Sequence, residues 1–202
     1  MRTRTLELLA AGIVLGTITV PAAALPVYSP LTGSYYDYVN RDIADRAYRT
    51  WTWEEARADA EARSYMGRPG HLVTLTSAAE EQVLIDNWLV DILYGQPWLG
   101  GFRVPGSDPV TGWQWVTGEA FGHTNWGLGE PNDAGGNEYF LHYQSINVAS
   151  VDEFERYGWN DASAGLSTYY FIEYSAVPEP GSFALLSLGL AGLGMLRRRK
   201  AM

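Results

Sequence analysis

The protein has 202 residues, which is enough for one ordinary domain with short terminal segments but not for two large domains. Its formal net charge is −9, and between the terminal segments 8 basic residues oppose 21 acidic ones, a net of −13. This charge disfavours nucleic acid as a partner and favours cations, and the absence of cysteine means that packing must stabilise the core.

The N-terminal 24 residues predict a secretory signal peptide. Arg2 and Arg4 precede an apolar run from Leu8 to Val20, and Pro21 with three alanines follows. A charged start, an apolar run and small residues at the end are the order of parts in such a signal. We therefore expect the domain that follows, residues 25–176, to be exported.

The domain itself predicts an α+β fold in which helices come early and strands late. An aromatic, β-prone segment at Tyr35–Val39 predicts an opening strand. Thr52 and Ser77, each followed three residues later by a glutamate, have capping-box spacing and predict two helices, which end near Ser64 and Leu93. Short aromatic strands are predicted at Trp98–Gly101, Trp113–Val116, Tyr139–Tyr143 and Tyr169–Tyr174.

The C-terminal segment, residues 177–202, contains Val177-Pro178-Glu179-Pro180, an apolar run from Ser182 to Leu196, and the basic cluster 197–200. The apolar run is shorter than the roughly 20 residues of a stable membrane span. The segment resembles the PEP-CTERM sorting signal. The resemblance implies transient membrane insertion through the short apolar transmembrane helix, processing by an exosortase-type transpeptidase, and a place at the cell surface or in the exopolysaccharide matrix. An ordinary tail anchor is the alternative.

Oxygen-bearing side chains in two separate segments predict a calcium site. Glu130, Asn132 and Glu138 lie in or beside a glycine-rich loop, and Asn160 and Asp161 follow further along the chain. Ca²⁺ takes about 6–8 oxygen ligands, so five residues leave positions for water or for hydroxyls of a ligand. Only oxygen donors are present in this set, as a hard cation requires.

Four segments occur in the order and approximate spacing of a C-type lectin-like domain: Trp53–Ala60, Trp98–Gly101, Glu130–Asn132 and Trp159–Asp161. The resemblance covers roughly Gly33 to Tyr174. It implies a double-loop α+β fold with two helices, antiparallel sheets and a long upper loop that carries the calcium site.

In sugar-binding members of this family, the matching residues bind one Ca²⁺ and hydrogen-bond to two vicinal sugar hydroxyls that complete its coordination. The resemblance implies a cis Glu130–Pro131 bond, and its Glu-Pro-Asn sequence goes with mannose-type sugars. Asp133 matches a ligand of an accessory calcium site, whereas Tyr139 stands where a further acid is expected. The residues that the resemblance assigns to calcium are Glu130, Asn132, Glu138, Asn160 and Asp161, and those assigned to the sugar are Glu130, Asn132, Glu138 and Asn160.

Trp126 and Trp159 flank the predicted metal loops, and both sugar contact and core packing remain open for them. Five further tryptophans are assigned to packing, namely Trp51, Trp53, Trp98, Trp113 and Trp115. The stretch from Ser145 to Tyr157 predicts an extra loop, because the gap before Asn160 is longer than is usual in the family.

The functional hypothesis is a calcium-dependent carbohydrate-binding module. A structural or protein-binding matrix module, in which calcium only stiffens the loop, is the alternative. An enzyme would use Glu130 and Glu138 as a glycosidase pair. A metal-bound carboxylate is held ionised and is a poor general acid, so we predict binding without catalysis.

Overall fold

The computed structural model describes residues 25–41, 47–145 and 157–175. The predicted signal peptide, the apolar run of the tail and most of the predicted extra loop lie outside these ranges. Within them, neither helix combines the length and apolar character that crossing a membrane requires.

Both predicted capping boxes begin helices. Thr52 caps α1 (Trp53–Ala62) and Ser77 caps α2 (Ala78–Gly95), with the hydroxyl and the glutamate three residues later each accepting a backbone N–H. Gln96 is the C-cap of helix α2 and adopts a left-handed conformation. The strands are β1 (Val27–Tyr28), β2 (Tyr35–Val39), β3 (Ser64–Tyr65), β4 (Arg68–Leu72), β5 (Trp98–Arg103), β6 (Trp113–Trp115), β7 (Glu138–Ser145), β8 (Tyr157–Ser163) and β9 (Tyr170–Tyr174).

The strands form one sheet in the order β1-β2-β9-β5-β7-β8, to which β4 adds by pairing with β9 and β6 by pairing with β5. All named pairs are antiparallel except a single parallel contact between Trp98 and Tyr170. The first and last parts of the domain are neighbours, because Tyr35 pairs with Tyr174. Two helices with a largely antiparallel sheet confirm the predicted α+β class.

Tryptophans form much of the core, as the sequence predicts. Trp51, Trp53 and Trp98 are at most 3% exposed. The Trp53 indole N–H donates to the Leu99 carbonyl at 2.8 Å, and that of Trp98 donates to the Trp51 carbonyl at 2.8 Å. Burying large rings supplies stability that this cysteine-free chain cannot obtain from disulfides, and the hydrogen bonds of Trp53 and Trp98 offset the cost of burying their N–H groups.

One carboxyl in the sheet makes stability depend on pH. Burial raises the pKa of Asp37 in β2 from 3.8 to about 6, and the charge of Arg63 opposes this only in part. The folded state therefore holds the proton more tightly than the unfolded state does. The resulting stabilisation is complete below pH 3.8 and is lost as the pH rises through about 6.

We expect Asp37→Asn to raise the free energy of unfolding at pH 7.5 by about 1–3 kcal/mol, because the amide is neutral at every pH. The gain should shrink towards zero below about pH 4. Urea unfolding between pH 4 and pH 8 measures this, with the exposed Asp86→Asn of α2 as the matched control. A gain that does not change with pH would contradict the assignment.

Candidate functional site

The long loop, residues 125–137, starts beside β8. The Trp159 amide donates to the Asn125 carbonyl at 2.7 Å, and the Gly127 amide donates to the Trp159 carbonyl at 2.8 Å. Gly158 permits this close approach, because a Cβ added there would lie 2.6 Å from the Gly127 Cα atom. The start of the loop is thus held against the strand that carries Asn160 and Asp161.

Asp161 joins the two segments that the sequence predicts to meet. Its Oδ1 accepts from the Asn132 amide at 3.1 Å and its Oδ2 accepts from the Asp133 amide at 2.8 Å. The residue is fully buried within β8. Both carboxylate oxygens thus accept backbone donors, so Asp161 fastens the middle of the loop to the sheet.

Glu130 lies beside this junction, and its peptide bond to Pro131 is cis, as predicted. Burial raises the pKa of Glu130, and the negative charges of Asp161 and Glu138 raise it further. Its Oε2 atom is buried without a hydrogen-bond partner. A buried oxygen that lacks a donor, on a carboxyl group that lies near two others, is suited to a bound cation.

Glu138 is the first residue of β7, at the end of the loop. Its Oε2 accepts from the Ala134 amide at 2.7 Å. Burial raises the pKa of Glu138, the Ala134 hydrogen bond opposes this shift, and the charge of Asp161 adds to it. Glu138 therefore belongs to the same group of mutually repelling carboxylates as Glu130 and Asp161.

The structure has Asn160 and Asp161 inside β8, a strand that the sequence did not predict, and Asn160 pairs with His142 of β7. Neighbouring residues of a strand project to opposite faces. Burial lowers the pKa of His142 to about 4, so its ring is neutral and Nε2 accepts from the Asn160 amide nitrogen at 3.0 Å. That nitrogen also donates to the backbone carbonyl of Asp161, so the hydrogen bonds of the Asn160 side chain go to His142 and the backbone and not to the carboxylates.

Among the predicted ligand contacts, Trp159 requires a correction. Its ring is fully buried and its indole N–H donates to Glu81 at 2.9 Å, so it packs beneath the loop and offers no surface to a sugar. Trp126 is half-buried, with its ring centroid 5.0 Å from that of Trp113. The side chain of Asn132 is exposed at the surface.

Across the described ranges, no three or more His, Cys, Asp or Glu side chains converge as a set of metal ligands. The contacts above give the physical reason. Both oxygens of Asp161 and one of Glu138 accept backbone amides, so these oxygens are already paired with the chain. The Asp161 charge is close enough to raise the pKa values of Glu130 and Glu138, but the carboxylates do not form a preformed cage.

Sequence reasoning missed Glu81, a buried glutamate of α2. Its position in the first turn of a helix is common for an acid and gave no sign of burial. The structure surrounds the Glu81 carboxylate with side-chain donors from the segment just before the loop, from the first residue of the loop, and from both strands of the β7–β8 pair. They are His123 Nε2 at 2.9 Å, Asn125 Nδ2 at 2.8 Å, the Tyr143 hydroxyl at 3.0 Å and Trp159 Nε1 at 2.9 Å.

Sequence reasoning also missed Arg103, which is buried at the end of β5. It forms an ion pair with Asp133, the residue that the resemblance links to an accessory calcium site. Tyr139 lies against the same guanidinium, with 4.6 Å between Cζ and the ring centroid. In this structure the partner of the Asp133 carboxylate is therefore a side-chain cation.

Comparison with known proteins agrees with the fold. The chain is 25% identical to a mutant of CEL-I, a C-type lectin of Cucumaria echinata, with a TM-score of 0.53 over 69% of this chain and 88% of that one. Residues 176–200 match the PEP-CTERM protein-sorting motif. The protein contains a C-type lectin-like domain followed by a PEP-CTERM sorting motif.

Two curated relatives cover much of the C-type lectin-like domain. Halomucin of Haloquadratum walsbyi is 29% identical over 160 residues, which are 75% of this chain and 2% of that protein. The mouse protein C-type lectin domain family 4 member G is 30% identical over 137 residues, 66% of this chain and 40% of that protein. The chain thus spans well under two thirds of the length of either relative.

We expect Glu81→Gln to lower the free energy of unfolding by about 2–4 kcal/mol. The glutamine NH₂ group would face side-chain donors that now bond to a carboxylate oxygen, and those donors would lose their acceptor in a buried cluster. Urea unfolding measures the change. The matched control is Glu61→Gln on the exposed face of α1, which should cost less than about 1 kcal/mol because its ion pair with Arg57 is exposed. Equal effects of the two variants would contradict the structural role of Glu81.

Proposed function

We propose that the C-type lectin-like domain is a calcium-dependent carbohydrate-binding module. The observation that carries the proposal is the junction at Asp161. There a buried carboxylate from β8 binds the backbone of the loop beside Glu130, whose Oε2 is buried and lacks a hydrogen-bond partner. Carboxylates of the two segments lie near enough for Asp161 and Glu138 to raise the pKa of Glu130, and a dication would relieve this repulsion.

The oxygen-only chemistry of the predicted set fits Ca²⁺. The ion would supply positive charge and open coordination positions for two vicinal hydroxyls of a sugar. Carboxylates accept hydrogen bonds from such hydroxyls, and amide groups donate to them. The Asn160 amide nitrogen already donates to His142 and Asp161, so the exposed Asn132 is the better placed amide donor. The proposed ligands are Glu130, Asn132, Glu138, Asn160 and Asp161.

The proposed sugar is of the mannose type, which includes mannose, fucose and glucose-like residues. This preference rests on the sequence Glu130-Pro131-Asn132 and its resemblance to mannose-binding members of the family. Trp126 is half-buried next to the loop and could contact a ring at the rim of the site. We propose binding without cleavage, because carboxylates that hold a metal stay ionised and cannot serve as general acids.

The PEP-CTERM sorting motif suggests the cellular location at which the domain would bind sugars. We propose that the protein is exported, that an exosortase-type enzyme processes residues 177–202, and that the domain is displayed at a bacterial surface or in an exopolysaccharide matrix. A single lectin site binds sugars weakly. Display of many copies on one surface would raise the overall avidity without any new contact.

A glycan array with the purified protein, run with calcium and again with EDTA, tests this function. We expect hits on mannose-type glycans that disappear with EDTA and return when calcium is restored. Calcium binding by calorimetry without any glycan hit would instead favour the structural or protein-binding module. Hydrolysis of a bound oligosaccharide would show that the domain is an enzyme.

We expect Glu130→Gln to weaken calcium binding at least about tenfold, because it removes one charge from the proposed ligand set. The metal-free protein should be as stable as the wild type or more so, since the substitution also relieves repulsion with Asp161 and Glu138. Calorimetry and urea unfolding in EDTA measure the two effects. Glu54→Gln on the exposed side of α1 is the matched control and should leave calcium binding unchanged.

A further inference from the structure

Arg103 places a buried positive charge next to the acidic loop. Its side chain is 2% exposed, and Nε donates to the Glu138 carbonyl at 2.9 Å. The terminal nitrogen Nη2 forms an ion pair with Oδ1 of Asp133. Tyr139 covers the guanidinium from one side. A buried guanidinium is stable only when its charge is paired in this way.

Asp133 transmits this contact to the proposed calcium ligands. The Oδ1 atom that pairs with Arg103 also accepts from the Glu138 amide at 3.1 Å, while the Asp133 amide donates to Asp161 at 2.8 Å. Asp133 itself adopts a left-handed conformation with φ of 49°. Few residues take this conformation without support from their surroundings, and the contacts on both sides of Asp133 provide it.

We propose that the Arg103 guanidinium is the internal cation of the long loop and positions Glu138 and Asp161 before any metal binds. Arg103 holds the Glu138 carbonyl directly and, through Asp133, the Glu138 amide and the Asp161 carboxylate. It is a positioning residue, because its contacts reach the proposed ligands through Asp133 and the backbone. The part of this proposal that concerns calcium rests on the proposed function, whereas the part that concerns loop structure does not.

The chemistry of the side chain explains why an arginine is needed. A planar guanidinium presents several N–H groups in fixed directions, so it can donate to the Glu138 carbonyl and pair with Asp133 at the same time. A lysine ammonium carries the same charge as a point on a flexible stem. Arg103→Lys should therefore keep the charge but lose part of the geometry, and Arg103→Met should lose both.

The test compares these two variants with the wild type in EDTA and in calcium. In EDTA, hydrogen exchange of the Ala134 and Glu138 amides should be at least about tenfold faster in Arg103→Met, while amides of β2 are unchanged. The calcium dissociation constant should rise at least about tenfold in Arg103→Met and less in Arg103→Lys. The matched control is Arg57→Met on α1, which removes an exposed arginine and should change neither quantity.

Several results would overturn the proposal. Unchanged exchange in Arg103→Met would show that the loop keeps its shape without the guanidinium. Tighter calcium binding would show that Arg103 acts as a competing positive charge. If Arg103→Met does not fold, Asp133→Asn removes the same ion pair while keeping an acceptor for the Glu138 amide, and it should give the same faster exchange. Unchanged exchange in Asp133→Asn would likewise overturn the proposal.

The two proposals fail in different ways. If the wild type binds no calcium but amide exchange is faster in Arg103→Met, the proposed function is contradicted and the role of Arg103 in the loop is supported. If the wild type and Arg103→Met bind calcium with equal affinity, the positioning role is contradicted and the proposed function is supported.

Discussion

The whole candidate site depends on one interaction, the pair of hydrogen bonds from the Asn132 and Asp133 amides to the buried Asp161 carboxylate. Asn132 and Asp161 are 29 residues apart in the chain. Without this contact only the start of the loop would be held to β8, through the backbone hydrogen bonds of Trp159. With it, Glu130 and Glu138 lie near Asp161, and the Asp161 charge raises the pKa of both glutamates. The electrostatic cost of this arrangement is what a bound cation would offset.

Two buried charges of opposite sign support the loop at its two ends. At the start, the Glu81 carboxylate accepts hydrogen bonds from His123 and Asn125. At the end, the Arg103 guanidinium holds Asp133 and the Glu138 carbonyl. Each charge is fixed by its own element, α2 for Glu81 and β5 for Arg103, so the loop takes its shape from the rigid parts of the fold. A loop built in this way can present side chains to a ligand without a large ordering cost.

Local patterns were sufficient for the helices and for most of the long strands. Each capping box predicts where its helix begins. The hydroxyl and the glutamate that accept the backbone N–H groups of the first turn are only three residues apart in the sequence. Strands β1, β3, β4 and β8 were not predicted. The first two contain only two residues each, and β4 includes Pro69 and Gly70, which disfavour a strand unless neighbouring strands stabilise it. Pairing across the sheet supplies that stabilisation.

The sequence by itself determined the α+β class, the helix starts, the sorting motif and the oxygen-rich residues proposed as ligands, since all of these are encoded in short stretches of chain. Only the tertiary structure decided that Trp159 is buried, that Asn160 and Asp161 lie inside a strand, and that Glu81 and Arg103 support the loop. Burial and the pairing of charges depend on which distant segments meet. That is set by packing and strand register, which no local pattern encodes.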